Sequence, residues 1–72
     1  MEDTFETDCI ELARRIKIGR NRGKSWNRFR VSASRLAQQM TVEYNLDDRQ
    51  NLIALAPIAT KHDVFGVLTQ YC

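Results

Sequence analysis

The chain has 72 residues, a formal net charge of +2 and 43% hydrophobic residues. This length holds one small domain, residues 1–72, and no apolar run approaches the roughly 20 residues that cross a bilayer. The N-terminus is acidic, without the apolar segment of a signal peptide, and two cysteines give no support for a secreted disulfide scaffold. We therefore expect an intracellular protein with no membrane contact.

The first predicted element is a helix over residues 4–18. Asp3 followed by Glu6 has the spacing of a capping box, and Gly19 is a natural stop after the last turn. Apolar residues recur at steps of three and four, which is the pattern of one buried helix face. They are Phe5, Cys9, Leu12 and Ile16.

A polar basic turn over residues 19–25 is predicted next, followed by a long helix over residues 26–44 that Ser25 would cap. Seven apolar residues of this helix fall within an arc of about 100° when they are plotted at helical spacing. They are Trp26, Phe29, Ala33, Leu36, Ala37, Met40 and Tyr44. Val31 and Val42 fall on the opposite face, which indicates that this face also touches something.

Two shorter helices complete the prediction, over residues 48–56 and 61–71. Asp47 is predicted to cap the first, Pro57 to end or kink it, and Thr60 to cap the second. Hairpin signals are missing from the sequence, and the only strict alternation fits the helical stripe better. The fold class is therefore all-α, a compact bundle of about four helices in a single domain.

Charge is distributed unevenly along the chain. Residues 12–35 contain no acidic residue and hold nine of the eleven Lys and Arg residues. The flanking segments are acidic on balance. A dense cationic block of this kind lowers the free energy of a polyanion at the surface, and nucleic acid is the commonest such partner.

The basic turn and the face of the following helix form the predicted nucleic-acid site. Arg is favoured there over Lys, and its planar guanidinium suits bidentate contact with phosphate. The predicted phosphate-binding residues are Lys17, Arg20, Arg22, Lys24, Arg28, Arg30 and Arg35. Two alternatives stay open: the block docks on an acidic protein surface, or it is a solvated face. Trp26 and Phe29 within the block are better explained by core packing than by stacking on bases.

The sequence offers no support for catalysis. The turn Gly-Arg-Asn-Arg-Gly-Lys-Ser resembles a phosphate-binding P-loop, but it has three residues between its glycines where that motif needs four. His62 is the only histidine, is expected to be exposed, and has no cysteine at zinc-site spacing. We therefore predict no enzymatic activity, no catalytic residue, no metal site and no cofactor.

The sequence thus predicts a small nucleic-acid-binding regulatory protein, cytoplasmic or in the nucleoid or nucleus, that acts by charge neutralisation. Self-association as a homo-oligomer is expected because so short a chain has little core of its own. The alternative is a protein-binding module or inhibitor that places its basic block on an acidic partner. A third hypothesis is a structural subunit that completes a larger helical bundle.

Overall fold

The computed structural model describes the backbone of residues 2–21 and 26–72, and the side chains of residues 3–18 and 31–72. Within these ranges the chain is all-helical, which confirms the predicted fold class. The described helices are α1 (Glu2–Asn21), α2 (Trp26–Glu43), α3 (Arg49–Lys61) and α4 (Phe65–Thr69). None of them is both long enough and apolar enough to cross a membrane.

Helices α1 and α2 pack against each other as an antiparallel pair. Tyr44, just beyond the end of α2, contacts Phe5 and Asp8 near the start of α1. Further along, Arg15 of α1 contacts Ser32 of α2. Helix α3 then packs on α1, α4 packs on α2, and α3 and α4 contact each other. The second pair of helices therefore covers the first pair.

The core is built from the predicted apolar faces. On α1 and α2 the buried positions follow the helical spacing seen in the sequence, and Leu36 is partly buried beside them. Leu46, Val64 and Leu68 close the core from the connecting segment, the α3–α4 junction and α4. The buried apolar residues of the two long helices are Phe5, Cys9, Leu12, Ala33, Ala37 and Met40. The predicted burial of Trp26 and Phe29 concerns side chains outside the described set.

Helix α1 is longer than predicted at both ends. It begins at Glu2, so Asp3 lies inside the first turn instead of capping it, and the Asp3 carbonyl accepts a hydrogen bond from the Thr7 hydroxyl. Acidic side chains near a helix N-terminus stabilise the helix by interacting with its macrodipole, even where no residue caps it. Helix α1 also continues through Gly19 to Asn21. A glycine costs a helix only about 1 kcal/mol, which packing against α2 can offset.

Helices α2 and α3 both end in a Schellman motif that lacks glycine. After α2, the amides of Asn45 and Leu46 donate to carbonyls three and five residues back, and Asn45 has a φ of 51°. After α3, the amides of Asp63 and Val64 do the same, and Asp63 has a φ of 59°. Leu46 and Val64, the next residues, are then buried, so each motif turns the chain back into the core.

The bounds of α3 and α4 differ from the predicted bounds. Asp48, one residue after the predicted cap, accepts a hydrogen bond of 2.9 Å from the Gln50 amide and starts α3. Pro57 neither ends α3 nor marks its boundary, because burial of Ala59 beyond it favours continuing the helix to Lys61. The last helix is correspondingly shorter than predicted, and Thr60 belongs to α3.

Candidate nucleic-acid interface

The predicted phosphate-binding residues divide into three groups in the structure. Lys17 on α1 and Arg35 on α2 are described in full and both are exposed. Arg20, Arg28 and Arg30 lie on described helical backbone, but their side chains are outside the described set. Arg22 and Lys24 lie outside the described residues altogether, as does most of the predicted turn over residues 19–25. Its first three residues belong to α1.

Two other arginines of the basic segment are engaged by one acidic residue. Nη2 of Arg14 lies 2.8 Å from the Glu11 carboxylate, and Nε of Arg15 lies 3.2 Å from it. The hydrogen bonds from Arg14 and then Arg15 lower the pKa of Glu11, and the Arg14 pKa is raised in turn. These pairs are exposed or half-exposed and contribute little to stability. They do make Glu11 a local counter-charge at the edge of the basic block.

Arg15 also joins the two long helices. Its Nη1 donates a hydrogen bond of 3.2 Å to the carbonyl of Ser32, seventeen residues further along the chain. The side chain is about one third exposed, so this contact lies at the edge of the helix interface. Because α1 and α2 are antiparallel, the contact sets the C-terminal third of α1 beside the N-terminal part of α2. Lys17 and Arg20 of α1 therefore lie on the helix segment that runs beside the part of α2 that carries Arg28 and Arg30.

The opposite end carries the acidic residues. The two ends are separated along a molecule whose longest dimension is 38 Å. Eight of the nine acidic residues belong to the start of α1, the end of α2, or the segments around α3. They are Glu2, Asp3, Glu6, Asp8, Glu43, Asp47, Asp48 and Asp63. Lys61 and Arg49 are the cations of this end. Most of the acidic residues therefore lie away from the contact between Arg15 and Ser32.

His62 is placed differently from its prediction. It is the C-cap residue of α3, and its side chain is only 20% exposed. Its Nε2 lies 3.2 Å from Oε2 of Glu6 on α1, and Nζ of Lys61 lies 3.5 Å from the same oxygen. The hydrogen bond from His62 and the charge of Lys61 lower the pKa of Glu6. No local sequence pattern predicts this cluster, because Glu6 and His62 are 56 positions apart.

The outward face of α2 carries exposed apolar residues, as predicted. Val31 is 53% exposed and Val42 is 82% exposed. An open groove of about 560 Å³ runs along this face. It is lined by Arg35, Gln38, Gln39, Val42 and Glu43. Phe65 of α4, by contrast, is partly buried against the core.

Thiols and potential metal ligands are the other reactive side chains of the described ranges. Both cysteines lie in the described ranges and are free thiols; Cys9 is fully buried, and burial raises its pKa to about 11. Among the described residues, His, Cys, Asp and Glu side chains form no cluster of three that could hold a metal ion. Of the cationic side chains described in residues 12–35, those of Arg14, Lys17 and Arg35 are exposed.

Comparisons with protein-family models, with curated proteins and with solved structures find no match to this chain.

Proposed function

We propose that the protein binds nucleic acid through the basic end of the α1–α2 pair. The observation that carries the proposal is the Arg15–Ser32 contact, because it brings the C-terminal part of α1 beside the N-terminal part of α2. Residues 14–35 hold nine cations, with Glu11 as the nearest acidic residue in sequence, and the contact brings together the two helices that carry most of them. Such a concentration of charge favours a polyanion by releasing its condensed counterions.

The contact residues are those nearest the junction of the two helices. Lys17 and Arg20 belong to the last turns of α1, Arg28 and Arg30 to the first turns of α2, and Arg22 and Lys24 to the segment between them. Arg35 is the outlying member, since it lies about 14 Å along α2 from Trp26 at the helical rise of 1.5 Å per residue. The binding requires no chemistry on the nucleic acid, and phosphate contacts alone give affinity without sequence preference.

Fluorescence anisotropy tests this proposal. Labelled single- and double-stranded DNA and RNA are titrated with the protein at two salt concentrations. We expect saturable binding to at least one form that weakens steeply with salt. If about six phosphates of a duplex are neutralised, the slope of log K against log salt is near −5.

Two double variants separate the basic end from the net charge of the molecule. R22A/K24A and R49A/K61A each remove one Arg and one Lys, so their total charge is the same. We expect the first to weaken binding about tenfold or more and to reduce the salt slope by about 2, and the second to change affinity less than about twofold. Circular dichroism checks that both variants remain helical.

Equal effects of the two variants would contradict the assignment of the site. A complete lack of binding at low salt, in every form of nucleic acid, would contradict the proposed function. The acidic-protein partner would then be the better hypothesis for the same surface.

A further inference from the structure

The outward face of α2 has the spacing of a helix-pairing seam. Val31, Arg35, Gln38 and Val42 follow one another at steps of four, three and four residues. At 100° per residue they fall within an arc of about 60°, almost opposite the buried stripe of Ala33, Ala37 and Met40. Alternating steps of three and four are those of the a and d positions in a coiled coil. Helix α2 therefore has two faces that can pack against other helices. Helices α1 and α4 cover one of these faces.

We propose that this outward face is the interface of an antiparallel homodimer, in which α2 packs on α2 of a second copy. In such a pair Val31 of each copy faces Val42 of the other, and Arg35 faces Gln38. The two exposed valines are then covered, and each arginine meets a side-chain amide oxygen that can accept its hydrogen bond. The same patch serves both copies, as a two-fold interface requires.

The distribution of charge favours a second copy of this chain as the partner, packed in the antiparallel direction. One end of the molecule is basic and the other acidic, so antiparallel packing sets the basic end of each copy beside the acidic end of the other. A parallel pair would instead set Arg35 against Arg35 and the two basic ends side by side, and like charges in apposition oppose association. The groove on this face also carries both signs, from Arg35 and Glu43.

The small size of the seam predicts a weak dimer. The four seam residues span only about 17 Å of helix, so the interface they form should bury less than the roughly 1,200 Å² that stable protein complexes bury. The dissociation constant of the dimer is therefore expected to lie between about 10 and 500 μM, with rapid exchange between monomer and dimer. This inference does not rest on the proposed nucleic-acid function, and it is tested without nucleic acid.

Sedimentation equilibrium over a concentration series up to about 1 mM, in reducing buffer, gives the dissociation constant of the wild-type dimer. V42K places a charge in the seam, and I53K makes the matched change on α3, where Ile53 is 62% exposed. We expect V42K to raise the dissociation constant about tenfold or more and I53K to change it less than about twofold. Both positions are more than half exposed, so both variants should fold, and circular dichroism checks this.

Disulfide trapping tests the direction of packing. V31C and V42C are made separately in a C72S background, since Cys72 is the exposed native thiol. Oxidation of an equal mixture should give mainly the mixed V31C–V42C product, because a disulfide needs Cα atoms within about 7 Å. Predominant V42C–V42C product would overturn the antiparallel arrangement. A wild-type protein that is monomeric at the highest concentration, or equal effects of V42K and I53K, would overturn the interface itself.

Discussion

The hydroxyl of Tyr44 donates a hydrogen bond of 2.5 Å to Oδ2 of Asp8, which ties the end of α2 to the first half of α1. The Tyr44 ring also packs edge-on against Phe5, with ring centroids 5.0 Å apart. The residue is only 6% exposed, so the hydroxyl depends on this carboxylate as its partner. Burial, and then the bond to Asp8, raise the pKa of Tyr44 above its ordinary value.

Y44F should lower the free energy of unfolding by about 1–3 kcal/mol, because it keeps the ring but removes a hydrogen bond to a charged acceptor. Urea unfolding at neutral pH measures this loss. Y71F is the control, since Tyr71 is partly buried beside the core but does not make this bond between α1 and α2. The loss should be largely absent when D8A, which removes the acceptor, is the parent, and a double-mutant cycle would show this.

The same tyrosine predicts how the protein responds to alkali. A raised folded-state pKa contributes stability below the ordinary value of 10.0 that is lost as the pH rises above it. Cys9 acts in the same direction, with its pKa raised from 9.0 to about 11. The wild type should therefore lose stability from about pH 9 upward, and Y44F should lose less over the same range. A wild type and a variant with parallel alkaline profiles would contradict this.

The two helix ends without glycine predict stabilising substitutions. Asn45 and Asp63 both hold a positive φ that residues with a Cβ adopt at a cost. D63G should relieve that cost and raise the free energy of unfolding by about 0.5–1 kcal/mol, whereas D63A should lower it because alanine tolerates positive φ less well than aspartate. N45G and N45A should behave in the same order. Thermal unfolding of the four variants measures this, and a D63A as stable as D63G would contradict it.

These positions also show which parts of the fold were predictable. The stripes on α1 and α2 are long and regular, so helical periodicity alone located their buried faces. The turns at Asn45 and Asp63 were not predicted, because the residue at this position of a Schellman motif is usually glycine. Here the burial of Leu46 and Val64 favours the turn instead. The predicted end of the helix before Pro57 was wrong for a related reason. The local effect of a helix-breaking residue was outweighed by packing further along α3.

The candidate site was predictable only in outline. The block of cations is visible in the sequence, and so is the short-range pairing of Glu11 with Arg15. The contact between Arg15 and Ser32 is not, because it depends on how two helices are aligned across a long separation in sequence. The separate role inferred for Arg35 likewise arises from its place on the outward face of α2, which the pattern of charges does not distinguish.

The Glu6–His62 contact predicts a pH dependence on the acid side. The pKa of Glu6 is lowered from 4.5, so the stability that its ionised form contributes is present above that value and lost as the pH falls through the folded-state pKa. E6Q should therefore be less stable than the wild type near pH 6, where Glu6 is ionised, and the difference should shrink as the pH falls below about 4. Thermal unfolding between these limits measures it. D47N, an exposed carboxylate of the same acidic end, is the control, and an equal pH-dependent difference for D47N would remove the special role of Glu6.

The two proposals together predict how binding depends on duplex length. In the antiparallel dimer the pair is centred between residues 36 and 37, so the two copies of Trp26 lie about 32 Å apart at 1.5 Å per residue. This is close to the roughly 34 Å of one turn of B-DNA, the spacing at which dimeric proteins place two DNA-binding elements. A duplex of about 18 base pairs can then contact both basic ends at once, whereas one of about 8 base pairs reaches only one.

Wild-type protein should therefore bind the longer duplex with a gain beyond the statistical increase in sites, because the second contact becomes intramolecular. V42K should keep its affinity for the short duplex and lose that gain, while I53K, which adds the same charge on α3, should retain it. Anisotropy titrations of the three proteins with both duplexes measure the difference. An equal length dependence in V42K and I53K would mean that the dimer plays no part in binding, whereas loss of binding to both duplexes in all three proteins would contradict the nucleic-acid function and leave the dimer to be judged by sedimentation.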